Sequence, residues 1–400
     1  MGRLVILTAL FAGTALSAPT VGGGQLVTPQ GPSEGQKHAR AAAGAGNFLV
    51  VWEAGLGGTA KIRGARVGLT GASLDPAGIT ISNGAGGQFE PAVAFGHGEY
   101  FVVWSDMRSG DHAVYGSRVT IGGQVLDPAG ILLSTEPTAA RMADVAATPD
   151  GFVVAWAQAE PMNHGFVARA RRLGTDGQPT DLAPLHLTDV QPWTFGEDWG
   201  RSIIDDVICQ HVRLAVQGST AMVMWGGTIG RQQGYFIVSA WLDLPTWTVS
   251  MPPAVAVVGA QSRIYHPAVC NFGQGFLFSW TDPQERGAEG LPLDNTGLMA
   301  SDGGVSYGPL ESTAQSRIVW TPAVASNGLV AFLDPGTNPN GLTLREVQAD
   351  GSSPGQDVVI PGGAAWPALA MPDSGPTLLV YTTVNAATNN GMLQAYLVTP

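Results

Sequence analysis

Short apolar runs separated by Gly, Asp and Pro recur along this chain at a nearly fixed interval. From Gln36 it reads QKHARAAAGAGNFLVVWEAGLGGTAKIRGARVGLTGASLDPAGITIS, and from Gln88 it reads QFEPAVAFGHGEYFVVWSDMRSGDHAVYGSRVTIGGQVLDPAGILLS. Trp104 matches Trp52, Arg118 matches Arg66, and LDPAG occurs in both stretches. Each unit holds four apolar runs; in the second they are PAVAF, YFVVW, AVYGSRV and GILLS. Their length and punctuation predict four short β-strands per unit. The second run lacks polar alternation, so a strand there needs apolar cover on both faces. GGQVLDPAG predicts the hairpin between the third and fourth strands, with Pro128 in the turn because it has no amide donor.

Anchoring each unit on the residue that closes its most apolar run gives Trp52, Trp104, Trp156, Trp225, Trp280, Leu333 and Tyr381. The successive spacings are 52, 52, 69, 55, 53 and 48 residues. Sheets covered on both faces and repeated at such a period predict a ring of stacked blades. The last unit has PALAM, TLLVY and MLQAYLVT but no fourth run, whereas QLVTP near the start resembles the fourth-strand segments ITISN and VVIPG. The expected fold is therefore an all-β, seven-bladed β-propeller of four antiparallel strands per blade, its last blade closed by an N-terminal strand. The expected blades are 36–83, 88–135, 140–188, 205–258, 261–312, 315–361 and 363–400 with 21–29, forming one domain over 18–400.

The succession Q-x-x-P-A-V-A, V-V-W, G-x-R-V and L-D-P-x-G resembles the tandem-repeat β-propellers exported by some Gram-negative bacteria, most clearly over residues 36–188. That resemblance implies the fold and export from the cell, and no particular reaction.

Composition narrows the setting. Charged residues make up 12% of the chain, against about 25% in an average soluble domain, while Gly numbers 55 and Pro 28. The net charge of −12 and only two lysines, Lys37 and Lys61, argue against nucleic acid and against charge-driven binding to an anionic membrane. The opening MGRLVILTALFAGTALSAPT reads as a secretory signal, with Arg3, a short apolar run from Leu4 to Ala12, and cleavage before Ala18. The expected location is periplasmic or extracellular, with no membrane span. Cys209 and Cys270, the only cysteines, are open to pairing or to standing as two buried thiols.

Candidate chemistry follows from the repeat. Fourteen residues before the first five anchors stand His38, Glu90, Met142, His211 and His266; the matching residues in the last two units are Thr321 and Trp366. The alignment places these seven around one mouth of the central channel. His38, Glu90, His211 and His266 carry donors that a divalent metal accepts, although polar side chains at a wet channel mouth are also ordinary. Tyr265 precedes His266, and with His211 they form a cluster suited to proton abstraction beside a sugar carboxylate. The extra residues between Trp156 and Trp225 are largely DVQPWTFGEDWGRSIIDD, 189–206. This loop carries aromatics beside acids, as surfaces that stack on sugars or contact proteins do. The expected ligand contacts are Trp193, Phe195, Glu197 and Trp199, with Trp366 of the ring. SDMRSGD, with Asp106 and Arg108, is expected to be a solvated turn. The three equivalent arginines Arg66, Arg118 and Arg172 are expected in a structural ion pair or backbone bond, because they repeat. ASDGGVSY, 300–307, resembles a single degenerate sialidase Asp-box and marks a turn.

These features favour an exported, non-catalytic binding propeller, with a glycan or protein as ligand and no cofactor beyond a possible divalent metal. The alternative is a propeller enzyme on polysaccharide, a lyase or glycoside hydrolase, using His211, His266 and Tyr265. No nucleophile elbow, zinc-protease helix or phosphate-binding loop occurs.

Overall fold

A computed structural model describes residues 19–28, 35–136, 138–160, 165–187, 210–228, 235–259, 265–272, 275–284, 293–301, 312–314, 323–333, 342–346, 357–360, 364–384 and 391–399. Among these residues the chain is all-β, apart from one short 3-10 turn at Gly57–Thr59, and every strand pairing is antiparallel. The expected signal, Cys209, the loop 189–206 and the turn 302–307 lie outside the described residues. No helix among the described residues is long and apolar enough to cross a membrane.

The described strands form seven sheets in chain order. The first contains Gln36–Ala43, Asn47–Ala54, Lys61–Gly68 and Ile79–Thr80; the second contains Gln88–Gly96, Glu99–Asp106, Ala113–Thr120 and Ile131–Leu132. The inner strands of the next five begin at Ala140, Gln210, Tyr265, Ala323 and Ala364. Each inner strand packs beside the next, and the seventh packs beside the first. Alanines fill these strands, as in Arg40–Ala43 and Ala92–Ala94, because strands converging on an axis leave little lateral room.

The two ends of the chain share the seventh sheet. Gln25 and Leu26 pair with Ala395 and Gln394, and Thr20 and Val21 with Thr399 and Val398. Gln36 ties this seam to the first sheet: its Oε1 accepts the Leu393 amide at 2.7 Å and its Nε2 donates to Thr28 Oγ1 at 2.9 Å.

Every residue of Asn47–Ala54 is buried, and all but the first of Glu99–Asp106, which is why FLVVW and YFVVW show no polar alternation. Trp52, Trp104, Trp156 and Trp225 are among the largest fully buried side chains. The indoles of Trp104 and Trp156 donate at 2.8 Å to the side chain two residues on, Asp106 and Gln158. Sheets are also joined by hydrogen bonds: Tyr100 Oη donates to the Asn47 carbonyl at 2.7 Å, and Asn47 Nδ2 donates to the Ile121 carbonyl at 3.1 Å.

The repeated arginines make the expected structural contact. The LDPAG aspartates Asp75 and Asp127 each accept the backbone amide and the guanidinium of Arg66 and Arg118, at 2.8–3.1 Å. Asp181 does the same for Arg172, and Arg345 in the sixth sheet grips Asp357 through its guanidinium. One residue differs from expectation. Asp106 is not in a solvated turn but fully buried, where it receives Trp104, Gln88 and Arg108. Burial pushes its carboxyl up, but the bonds from Arg108 and Trp104 outweigh this and hold it below the usual carboxylate range.

Candidate active site on the axis

The register of the inner strands explains why the positions aligned from sequence form a set. In the first sheet Lys37 faces Glu53 and Arg40 faces Val51, so the inner strand spends three residues where its partner spends two. The same one-residue bulge occurs at Phe89/Ala92, Arg141/Asp144, Gln210/Arg213, Tyr265/Ala268 and Ala365/Ala368. The extra residue adopts the left-handed conformation: φ is 51° at His38, 53° at Glu90, 56° at Met142, 51° at His211 and 49° at Trp366. Non-Gly residues rarely hold such φ values, and a bulge re-aims a side chain out of the pleat. The repetition shows that this strain belongs to the blade plan, which presents one non-repeating side chain per sheet.

These residues touch their neighbours around the ring. His38 meets Trp366 edge-on, with ring centroids 5.0 Å apart and planes at 70°. Glu90 accepts from Ser105 Oγ at 3.3 Å, Ser105 Oγ accepts the Met142 amide at 3.1 Å, and the His211 amide donates to Met142 Sδ at 3.2 Å. His38 Nδ1 lies 3.0 Å from Oε2 of Glu53, a residue the sequence reading did not single out. Glu53 directly follows the anchor Trp52, at the position held by Ser105 in the second unit.

Two residues beyond the bulge, the equivalent positions are Arg40, Ala92, Asp144, Arg213, Ala268, Ala323 and Ala368. Four are the alanine that the crowded axis favours; three are charged. Asp144 accepts the Val145 amide and, from the adjoining sheet, the Leu214 amide, both at 3.0 Å. Arg40 donates to the Ala39 carbonyl at 3.2 Å and Arg213 to the Val212 carbonyl at 2.7 Å; neither forms an ion pair among the described residues. Burial pushes Arg40 down to about 9, Arg213 adds to the fall, and Asp144 and Glu90 oppose it. Arg213 is lowered by burial against the pull of Asp144 and Glu90. Burial raises Asp144 despite Arg213, Arg40 and the two amides. The four charges thus feel one another across the axis.

The structure brings His38 and Trp366 together and sets Glu90, Met142 and His211 in the same ring. The side chains of His266 and Tyr265 lie outside the described residues, as do Thr321, Trp193, Phe195, Glu197 and Trp199. Among the described residues no three His, Cys, Asp or Glu side chains converge to hold a metal ion. Cys270 is a half-buried thiol whose pKa burial pushes upward.

No protein-family model matches this sequence, and no curated protein is similar to it. Solved structures share its fold. A family-25 polysaccharide lyase, an ulvan lyase bound to -[GlcA(1-4)Rha3S]-, matches with a TM-score of 0.58 and 11% identity, over 96% of this chain and 94% of that one. An α-L-arabinanase from Penicillium chrysogenum, complexed with arabinobiose, matches with a TM-score of 0.51 and 12% identity, over 77% and 92%. A protein of unknown function from Dyadobacter fermentans matches with a TM-score of 0.53 and 9% identity, over 96% and 99%. The chain is thus an all-β protein of four-stranded antiparallel blades with propeller-type neighbours. The expectation of a non-catalytic binder is corrected by these likenesses: the neighbours of named activity act on glycans as enzymes, which favours the enzymatic alternative.

Proposed function

We propose that this protein is an exported seven-bladed propeller that cleaves an acidic polysaccharide on its axis, by elimination beside a uronate carboxylate. The observation that carries this reading is the placement of Arg40 and Arg213 at positions where four of seven repeats have alanine, beside the bulges bearing His38 and His211. A chain of net charge −12 has here two half-buried cations that Asp144 and Glu90 oppose without an ion pair among the described residues, and an anionic group of a ligand would complete their bonding. Neutralising a uronate carboxylate acidifies the adjacent C–H, which a nearby base then removes. The likeness in fold to a lyase bound to a glucuronate-containing glycan supports the same substrate class. The apolar start of the chain and its resemblance to exported propellers support a place outside the cytoplasm.

The test is to incubate the purified protein with ulvan, polygalacturonate, alginate and, as a neutral control, arabinan. Ultraviolet absorbance reports the unsaturated product of elimination, and a reducing-end assay reports every cleavage. Absorbance rising with an acidic glycan is the expected result. Reducing ends without absorbance would mean hydrolysis, and no cleavage of any glycan would end the enzymatic reading.

A further inference from the structure

We propose that His38 and Glu53 are the proton-transfer pair of this site, with His38 the catalytic base and Glu53 the positioning residue that sets its tautomer. This rests on the glycan-cleaving reading above. An ionised carboxylate only accepts hydrogen bonds, so the 3.0 Å contact puts a proton on Nδ1 and leaves the lone pair on Nε2. Glu53 lies in a fully buried strand, its side chain 9% exposed, whereas the His38 side chain is 38% exposed. The pair therefore has a fixed inner member and a reachable outer one.

Three further features hold the imidazole. The bulge fixes its backbone at φ 51°. The edge of Trp366 packs against it from the neighbouring sheet. Arg40 stands two residues along the same strand, a cation available to the uronate carboxylate. The pair is not part of the blade plan, because the residues following Trp104, Trp156 and Trp225 are Ser105, Ala157 and Gly226.

The step balances without a co-reactant. Nε2 takes the C5 proton, the C–H electron pair forms the C4–C5 double bond, and the C4–O bond breaks. The imidazolium then returns the proton to the departing oxygen.

The experiment has two arms. Ring-nitrogen NMR of the folded protein, with the His38 signals assigned by their loss in His38→Asn, reads the tautomer. The expected result is a protonated Nδ1 and a bare Nε2, shifting toward the Nε2–H tautomer in Glu53→Gln. The second arm measures cleavage of whichever acidic glycan the wild type degrades. His38→Asn, chosen because Asn tolerates a left-handed backbone, should lose about 100-fold or more in kcat. Glu53→Gln should lose at least about tenfold in kcat with little change in KM. Both variants should melt as cooperatively as the wild type. A wild type that cleaves while His38→Asn keeps kcat within about threefold overturns the pair and leaves the glycan reading standing. A bare Nδ1 in the wild type, or a tautomer indifferent to Glu53→Gln, overturns the role of Glu53. A wild type that cleaves nothing removes both.

Discussion

The outer hairpins and the axis both carry arginines, and the two sets differ in kind. Arg66, Arg118 and Arg172 recur at one position, and each is gripped by an aspartate nine residues on. Arg40 and Arg213 occupy a position that is otherwise alanine or aspartate, and each donates only to a neighbouring carbonyl among the described residues. The hairpin pairs close loops, and among the described residues they recur in the first, second, third and sixth sheets. The axial arginines close no loop; their cost in desolvation is opposed only through space, by Asp144 and Glu90. Repetition in this chain marks architecture, and departure from repetition marks where a ligand is expected.

Substitutions on each side should separate the two. The largest effect on stability is expected at an anchor: Trp104→Ala removes a fully buried indole and should cost about 3–5 kcal/mol, read from chemical denaturation. A smaller loss would mean that the sheets are not packed face to face as described. On the axis, Arg40→Ala with Arg213→Ala should weaken cleavage of an acidic glycan by about 100-fold or more, from charge-assisted bonds of about 1.5–3 kcal/mol each. Stability should change little, because the desolvation relieved is set against the lost attraction of Asp144 and Glu90. A double variant that loses stability and keeps activity would place these arginines among the structural ones. Asp127→Ala should do the reverse, costing about 1–3 kcal/mol by leaving the Arg118 amide and guanidinium without their acceptor, with cleavage unchanged.

Acid should separate the two sets more gently. Burial raises Asp75 and Asp106, but their arginine partners outweigh it and leave both below the usual range. Their contribution is whole above the unfolded carboxylate value of about 3.9 and fades as pH falls through the lower folded values. Asp144 has the opposite sign. Its raised value means stability lost as pH rises through it. Asp144→Asn should therefore lessen the fall in melting temperature as pH rises above the unfolded carboxylate value, and Asp75→Asn the fall below it.

Much of the fold was legible because blades bury both faces of their second strand, so FLVVW, YFVVW and FVVAW stand out as unbroken apolar runs. The hairpin ion pairs were legible in outline, since Arg recurs at constant spacing; their partner was present as the Asp of LDPAG and was read only as a turn residue. The bulge positions were found by counting back from the anchors, and the shared left-handed φ confirms their equivalence at five of them. Glu53 was missed because it adjoins the most apolar run, where a carboxylate looks like the end of a strand. A comparison at that single column, Glu against Ser, Ala and Gly, would have marked it. Asp106 was misjudged for a related reason: SDMRSGD is polar apart from Met107, and only the fold turns one of its carboxylates inward onto Trp104. The axial charges escaped notice because Arg40 and Arg213 sit among alanines whose smallness, not their own charge, reads as the pattern.

The pairing of Gln25 and Leu26 with Gln394 and Ala395 joins residues some 370 positions apart. Bringing such distant segments together carries a heavy loop-closure entropy, so the final sheet should be the slow step of folding. The early strand has nothing to dock on until the last one has been synthesised and delivered. A peptide linker across that seam, with new termini opened at an exposed hairpin such as Gly122–Gly123, should leave the same blades standing and speed their assembly.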